Sequence, residues 1–196
     1  VAATAHGGKD RYRGGVAERA CALRVATVAA AVGATVVLGA APSADAAGIS
    51  PAGPTETGYV VTRVVDGDTI HVGRDGVDLT VRLIGINSPE SVKPNSPVEC
   101  FGPQASDFAK AALTGRTVRL EFDASQGRTD QYGRTLAYVW VERPGSRPTL
   151  FNQTAVRRGY AFERQYGPTP YAWRSVLRAA QKQAQSAHAG LWSACH

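Results

Sequence analysis

The run Val64–Glu90, VVDGDTIHVGRDGVDLTVRLIGINSPE, decides how the chain is read. Two β-branched, apolar stretches lie in it, and each ends in polar residues that a packed core does not require. Asp66 and Asp68 flank Gly67 directly after Val64-Val65. Arg82 lies inside VRLIGI, and Asn87, Ser88 and Glu90 follow where that stretch stops. Carboxylate and amide oxygens, one guanidinium and a separate carboxylate are thereby gathered at strand ends. Such a set suits a hard cation, which takes oxygen ligands, beside a phosphodiester gripped by a forked cationic donor.

Working outward, Tyr59–Val65 and Thr69–Val72 read as strands joined across Asp66-Gly67-Asp68, and Arg74-Asp75-Gly76 turns the chain into a third, Val77–Ile86. Pro103 opens a helix that carries Ala105, Phe108, Ala109, Ala112 and Leu113 at helical spacing. Thr117–Phe122 and Thr135–Val141 are further strands. Asn152–Arg158, closed by Gly159, reads as a short helix. Pro170–Ala187 reads as a longer one with Trp173, Val176, Leu177 and Ala180 on one stripe. Five strands, with one helix among them and two after, predict an α+β, mainly β fold: a small closed barrel with three helices packed on it. No internal repeat is present.

Residues 1–46 read as an export signal. Lys9, Arg11, Arg13, Arg19 and Arg24 form a positive front end, Val25–Ala41 is uncharged and rich in Ala and Val, and Ala44-Asp45-Ala46 places small residues for cleavage before Ala47. The alternative is an uncleaved membrane anchor, which would leave the protein at the cell surface. Residues 47–57 read as a flexible linker with two prolines and no periodicity, and 58–196 as the folded domain. Formal net charge is +6 for the whole chain. Beyond residue 47 there are 17 cationic and 13 acidic residues, a net of +4, and 14 of the 17 are arginine, which favours an anionic partner.

Cys21 leaves with the signal, so Cys100 and Cys195 are the thiols of an exported domain and a disulfide between them is expected. Two free thiols remain the alternative if the chain is not exported. A zinc site would need four ligands at fixed spacing, and only His196 adjoins Cys195. His71 and His188 have no nucleophile signature between them and read as ordinary surface or core residues.

Taken in order, VVDGDTIHV, VRLIGINSPE, CFGPQASDFAKAAL, VRLEFD, DQYGRTLAYVWV, AVRRGYAF and AGLWS resemble staphylococcal nuclease domains over Gly58–Ser193. The resemblance implies an OB-fold barrel of five strands with three helices. It also implies calcium-dependent hydrolysis of phosphodiester bonds in DNA and RNA, single strands preferred. It carries metal binding (Ca2+) to Asp68 and Asn87, with Ser88 giving a backbone carbonyl and Asp66 a supporting role. It carries catalysis to Arg82, Glu90 and Arg134. Tyr132 and Tyr166 fall where the family meets nucleotides, with Tyr160 and Tyr171 nearby. The family's better-known members have aspartate where this chain has Asn87, so weaker metal affinity is expected. A monomer without a stable protein partner is implied.

Two other function classes remain. OB barrels also bind nucleic acid without cutting it, in which case Asn87 would mark a lapsed metal site. A structural wall-associated role gains only from export and the linker. The joint presence of Arg82, Glu90 and Arg134 favours the hydrolase over both.

Overall fold

The computed structural model describes residues 49–91 and 97–195. The export signal read in 1–46 therefore lies outside the described residues. Five strands form a ring. β1 (Thr55–Val64) pairs antiparallel with β2 (Thr69–Arg74) and with β5 (Thr117–Glu121). β2 pairs with β3 (Val77–Leu83), and β5 with β6 (Thr135–Arg143). A parallel pairing of β3 with β6 then closes the ring, giving the OB-type barrel expected. The interior is filled by alternate residues, among them Val61, Ile70, Val72, Val81, Leu83, Val118, Leu120 and Val139. A register shift between Val61 and Arg63 resets the alternation of β1, so Val64 turns inward too.

Among the described residues there are four helices: α1 (Gly102–Leu113), α2 (Phe151–Arg157), α3 (Arg174–Ser186) and a single-turn α4 (Leu191–Ala194). Ala105, Ala109 and Leu113 bury one stripe of α1, and Leu177, Ala180 and Ala184 one stripe of α3. The single-turn α4 is additional to the three helices read from the sequence, and other features differ from that reading. The third strand stops at Leu83, and Ile86–Asn87 becomes a separate short strand β4 paired with β8 (Phe162–Glu163). A strand β7 (Ser146–Leu150) lies on the edge of β6, where Pro148 is tolerated because one side of an edge strand has no ladder to serve. The long helix starts at Arg174 rather than Pro170, and the three residues before it, Tyr171, Ala172 and Trp173, are bonded to Glu163, Asp123 and Glu121.

The Trp173 bond is to Glu121, whose exposure is only 1%. One carboxylate oxygen accepts the backbone N–H groups of Ala52 and Gly53, both at 2.8 Å. The other accepts the indole N–H groups of Trp140 at 2.6 Å and Trp173 at 3.1 Å. A buried carboxylate must find donors, and these four draw the outer face of β5 and β6, the entry to α3 and the chain before β1 together. Segment 47–57, read as a flexible linker, is accordingly docked from Ala52, and β1 begins inside it at Thr55. The same network explains why Ala137–Val141 of β6 is buried on both faces. Cys100 and Cys195 lie with their sulfurs 2.05 Å apart and their Cα atoms 5.9 Å apart.

Glu121→Gln replaces one acceptor oxygen by an NH2 group facing N–H donors. Urea denaturation is expected to show a loss of about 2–3 kcal/mol; an unchanged midpoint would mean the four bonds contribute nothing net.

Candidate active site

The turn from β1 into β2 is shaped by Asp66, whose Oδ1 accepts the Asp68 N–H at 2.9 Å. Gly67 sits between them because a Cβ there would lie 2.5 Å from the Ser88 Cβ. Its absence lets the turn press against the strand-β4 exit. Asp68 Oδ2 then accepts the Ser88 N–H at 2.7 Å, while Oδ1 lies 3.1 Å from the Thr69 hydroxyl. Thr69 is paired with Arg82 across β2 and β3, and this register brings Arg82 Nη2 to 3.2 Å from Asp68 Oδ2. Both are nearly buried, Asp68 at 5% and Arg82 at 8% exposure.

Arg82 has further acceptors. Nη1 donates to the Leu83 carbonyl at 2.8 Å, and Nη2 to the Tyr166 hydroxyl at 3.0 Å and Asn87 Oδ1 at 3.4 Å. Tyr166 in turn donates to Asn87 Oδ1 at 2.7 Å. Burial raises the Tyr166 hydroxyl above its ordinary pKa, which keeps the proton on it for this bond. The β4–β8 ladder brings about this meeting: Asn87 pairs with Phe162, and Tyr166 follows four residues later. Buried Asn152 supports the same region, donating to the Ile84 carbonyl and accepting the Val139 N–H.

Arg134 enters from the start of β6, adjacent to β3 through the parallel pair Val81↔Thr135. Asp130 holds it: Oδ2 accepts from Nε at 2.7 Å and Nη2 at 2.6 Å, and Oδ1 from the backbone N–H groups of Tyr132 and Arg134. Burial pushes the Asp130 carboxyl up, but the bonds from Arg134 and Tyr132 outweigh it and leave its pKa below the usual range. Tyr132 is 73% exposed, with the Arg134 guanidinium 5.3 Å from its ring centroid.

Asp66, Asp68, Arg82, Asn87, Glu90 and Arg134 all line one cavity of about 570 Å³, as do Ser88, Tyr132 and Tyr166. The structure thus brings together every site residue named from the sequence apart from the cysteines. Of the two nearby tyrosines, Tyr160 is turned away and stacks on Phe108 at 4.1 Å, whereas Tyr171, buried with its hydroxyl on Glu163, forms part of the cavity wall. Sequence reasoning missed Asp130 and Arg164, which also line the cavity. The spacing D-x-x-x-R across a Gly-containing turn is the signal that could have found Asp130.

The cavity's donors toward a cation are all oxygen. Burial, then the neighbouring charge of Asp68, pushes the Asp66 carboxyl up to about 6. Two carboxylates that crowd each other in this way suit a hard divalent ion, which would relieve their repulsion. Among the described residues no group of three His, Cys, Asp or Glu side chains forms a ready-made metal cage. The fit is to an ion that also keeps water or phosphate oxygens, with Asn87 and Ser88 as neutral donors.

The family model described as "Staphylococcal nuclease homologue" matches residues 80–194, more than half of the chain. The chain belongs to the staphylococcal nuclease family. It is 45% identical over 147 residues to the thermonuclease of Staphylococcus hyicus, covering 75% of this chain and 81% of that protein. It is 45% identical over 134 residues to the thermonuclease of Staphylococcus intermedius, covering 68% and 75%. Endonuclease YncB of Bacillus subtilis (strain 168) is 37% identical over 131 residues, covering 67% of this chain and 59% of that protein.

Because the pKa of Asp66 is raised, the folded state holds its proton more tightly than the unfolded chain does. Its contribution to stability therefore falls as pH rises from about 4 to about 6. In chelator, Asp66→Asn is expected to stabilise the protein by roughly 1–2 kcal/mol at pH 7 and by nothing near pH 4. Equal thermal midpoints of the two proteins at pH 7 would contradict the crowding of Asp66 by Asp68.

Proposed function

We propose that the protein is an exported, calcium-dependent nuclease that hydrolyses phosphodiester bonds of DNA and RNA, with single strands preferred. The observation that carries this reading is the convergence of Arg82, Glu90 and Arg134 on the cavity that also holds the paired carboxylates Asp66 and Asp68. The names of the thermonuclease and endonuclease relatives support it. A pure binding barrel has no use for a carboxylate beside two arginines in such a cavity.

Asp68, Asn87 and the Ser88 carbonyl would hold the ion, with Asp66 alongside. Bound calcium supplies positive charge to a phosphate oxygen. Glu90 orients a water molecule and accepts its proton as the water attacks phosphorus. Arg82 and Arg134 donate to the phosphate oxygens as negative charge grows there. Their partners make that exchange accessible. Asp130 aims Arg134 before substrate arrives, and the Tyr166–Asn87 pair offers Arg82 neutral acceptors that a phosphate can displace. Tyr132, exposed beside Arg134, gives a flat face on which an unpaired base can stack, which accounts for the preference for single strands.

Export is supported by the signal-like composition of residues 1–46 and by the closeness of Cys100 and Cys195, which suits a disulfide in an oxidising compartment. Among the described residues no helix is long and apolar enough to cross a membrane.

The test is release of acid-soluble nucleotides from denatured DNA by the purified protein, with calcium against a chelator control. Calcium-dependent release is expected, and Glu90→Gln should lower kcat by at least about 100-fold with substrate binding retained. Binding of the same DNA without cleavage in any divalent cation would replace this reading with the non-catalytic binding module.

A further inference from the structure

Glu90 reaches the cavity from the segment after β4, where no helix or long strand holds it. Its backbone is instead gripped from outside the cavity. The Glu90 N–H donates to Glu99 Oε2 at 2.9 Å, and the Glu99 N–H donates to the Glu90 carbonyl at 2.9 Å. These reciprocal bonds pinch the chain shut at the base of the intervening residues. The grip continues into α1. The Gly102 N–H donates to the Glu99 carbonyl at 3.0 Å, and a Cβ on Gly102 would collide with the Glu90 carbonyl oxygen. The helix start therefore lies directly against the Glu90 backbone.

This clasp is fastened on its far side. Cys100, next to Glu99, meets Cys195 at the end of α4. α4 is seated against the turn that follows α2 through the Leu191 N–H, which donates to the Gly159 carbonyl at 2.9 Å. Phe101, held at φ 68° in the left-handed region, packs its ring 5.5 Å from that of Tyr160. Glu99, Cys100 and Cys195 do not line the cavity. Yet the path from Cys195 through Cys100 and Glu99 to Glu90 is continuous in bonds.

We propose that Glu99 is a positioning residue for Glu90 and that the Cys100–Cys195 bridge anchors it, so that the hydrolytic step depends on a clasp outside the substrate cavity. The inference rests on the nuclease reading above. A water-orienting carboxylate must stay within hydrogen-bond reach of its water, and a misplacement of about 1 Å is enough to cost about 100-fold in rate. Substrate affinity, set by the arginines and Tyr132 on other elements, is independent of the clasp.

Steady-state hydrolysis of denatured DNA in calcium tests this with the full protein and three variants: Glu99→Ala, Glu99→Gln and the double substitution Cys100→Ser/Cys195→Ser. Each is assayed well below its own Tm, with calorimetry to show that it is folded. Glu99→Ala and the double variant are expected to lower kcat by about 10- to 100-fold while KM stays within about twofold. Glu99→Gln, whose amide oxygen still accepts the Glu90 N–H, is expected to keep kcat within about threefold of the wild type. Dithiothreitol, which gives two electrons and two protons to the bridge and closes to its own cyclic disulfide, should lower wild-type kcat as the double variant does. An active wild type with unchanged kcat in Glu99→Ala and the double variant overturns the inference alone, as does an equal loss in Glu99→Gln and Glu99→Ala or two free thiols in the unreduced protein. A wild type that cleaves nothing overturns the nuclease reading and this inference together.

Discussion

Asp68 and Arg82 are two opposite charges taken out of water 3.2 Å apart, and the geometry of the cavity follows from how each is satisfied. Burying an ion pair costs more than the pair's attraction returns unless the remaining donors and acceptors are filled. Here they are. Asp68 takes the Ser88 N–H and meets the Thr69 hydroxyl, which fixes the turn, the head of β2 and the exit of β4 against one another. Arg82 reaches the Leu83 carbonyl, Asn87 and Tyr166, which ties β3 to β4 and to the chain after β8. A slip of one residue between β2 and β3 would send Arg82 to the other face and leave Asp68 buried and unpaired. Register, turn and site are therefore one constraint.

A second buried carboxylate organises the opposite side of the barrel wall. Among the described residues Glu121 is held by N–H groups, from the chain before β1, from β6 and from the entry to α3, and by no ion pair. Asp123 extends the same device, accepting the Tyr138 hydroxyl and the Ala172 N–H, both at 2.7 Å. The cavity's far rim, including Tyr166, hangs on a connection between β8 and α3 that these bonds pin at its helix end. Fold stability and site shape thus meet in the segment Phe162–Trp173, which carries little regular structure of its own.

The barrel strands were legible because β-branched runs and turn residues alternate cleanly from Tyr59 to Leu83 and again in Thr117–Glu121 and Thr135–Val141. The site was legible because its charged residues stand at strand ends, where a core has no need of them. What could not be read has physical reasons. β7 contains Pro148, which argues against a strand unless its edge position is known. β4 and β8 are two residues each, too short for periodicity, and exist because they pair across 75 residues of chain. The docking of Ala52 and Gly53 depends on a carboxylate nearly 70 residues away, and Pro-Gly composition gives no hint of it. Asp130 shapes a turn and the same turn aims Arg134, a pairing that shows only once the turn is folded.

In the proposed mechanism the Asp68 carboxylate serves both the fold of the site and its chemistry, and single-turnover cleavage of denatured DNA by Asp68→Asn at saturating calcium separates the two. The amide keeps an oxygen for the Ser88 N–H but removes the charge that faces Arg82 and that the proposed ion would need. A folded protein whose rate constant falls by at least about 100-fold is expected. A folded Asp68→Asn protein that cleaves within about threefold of the wild-type rate would contradict that mechanism.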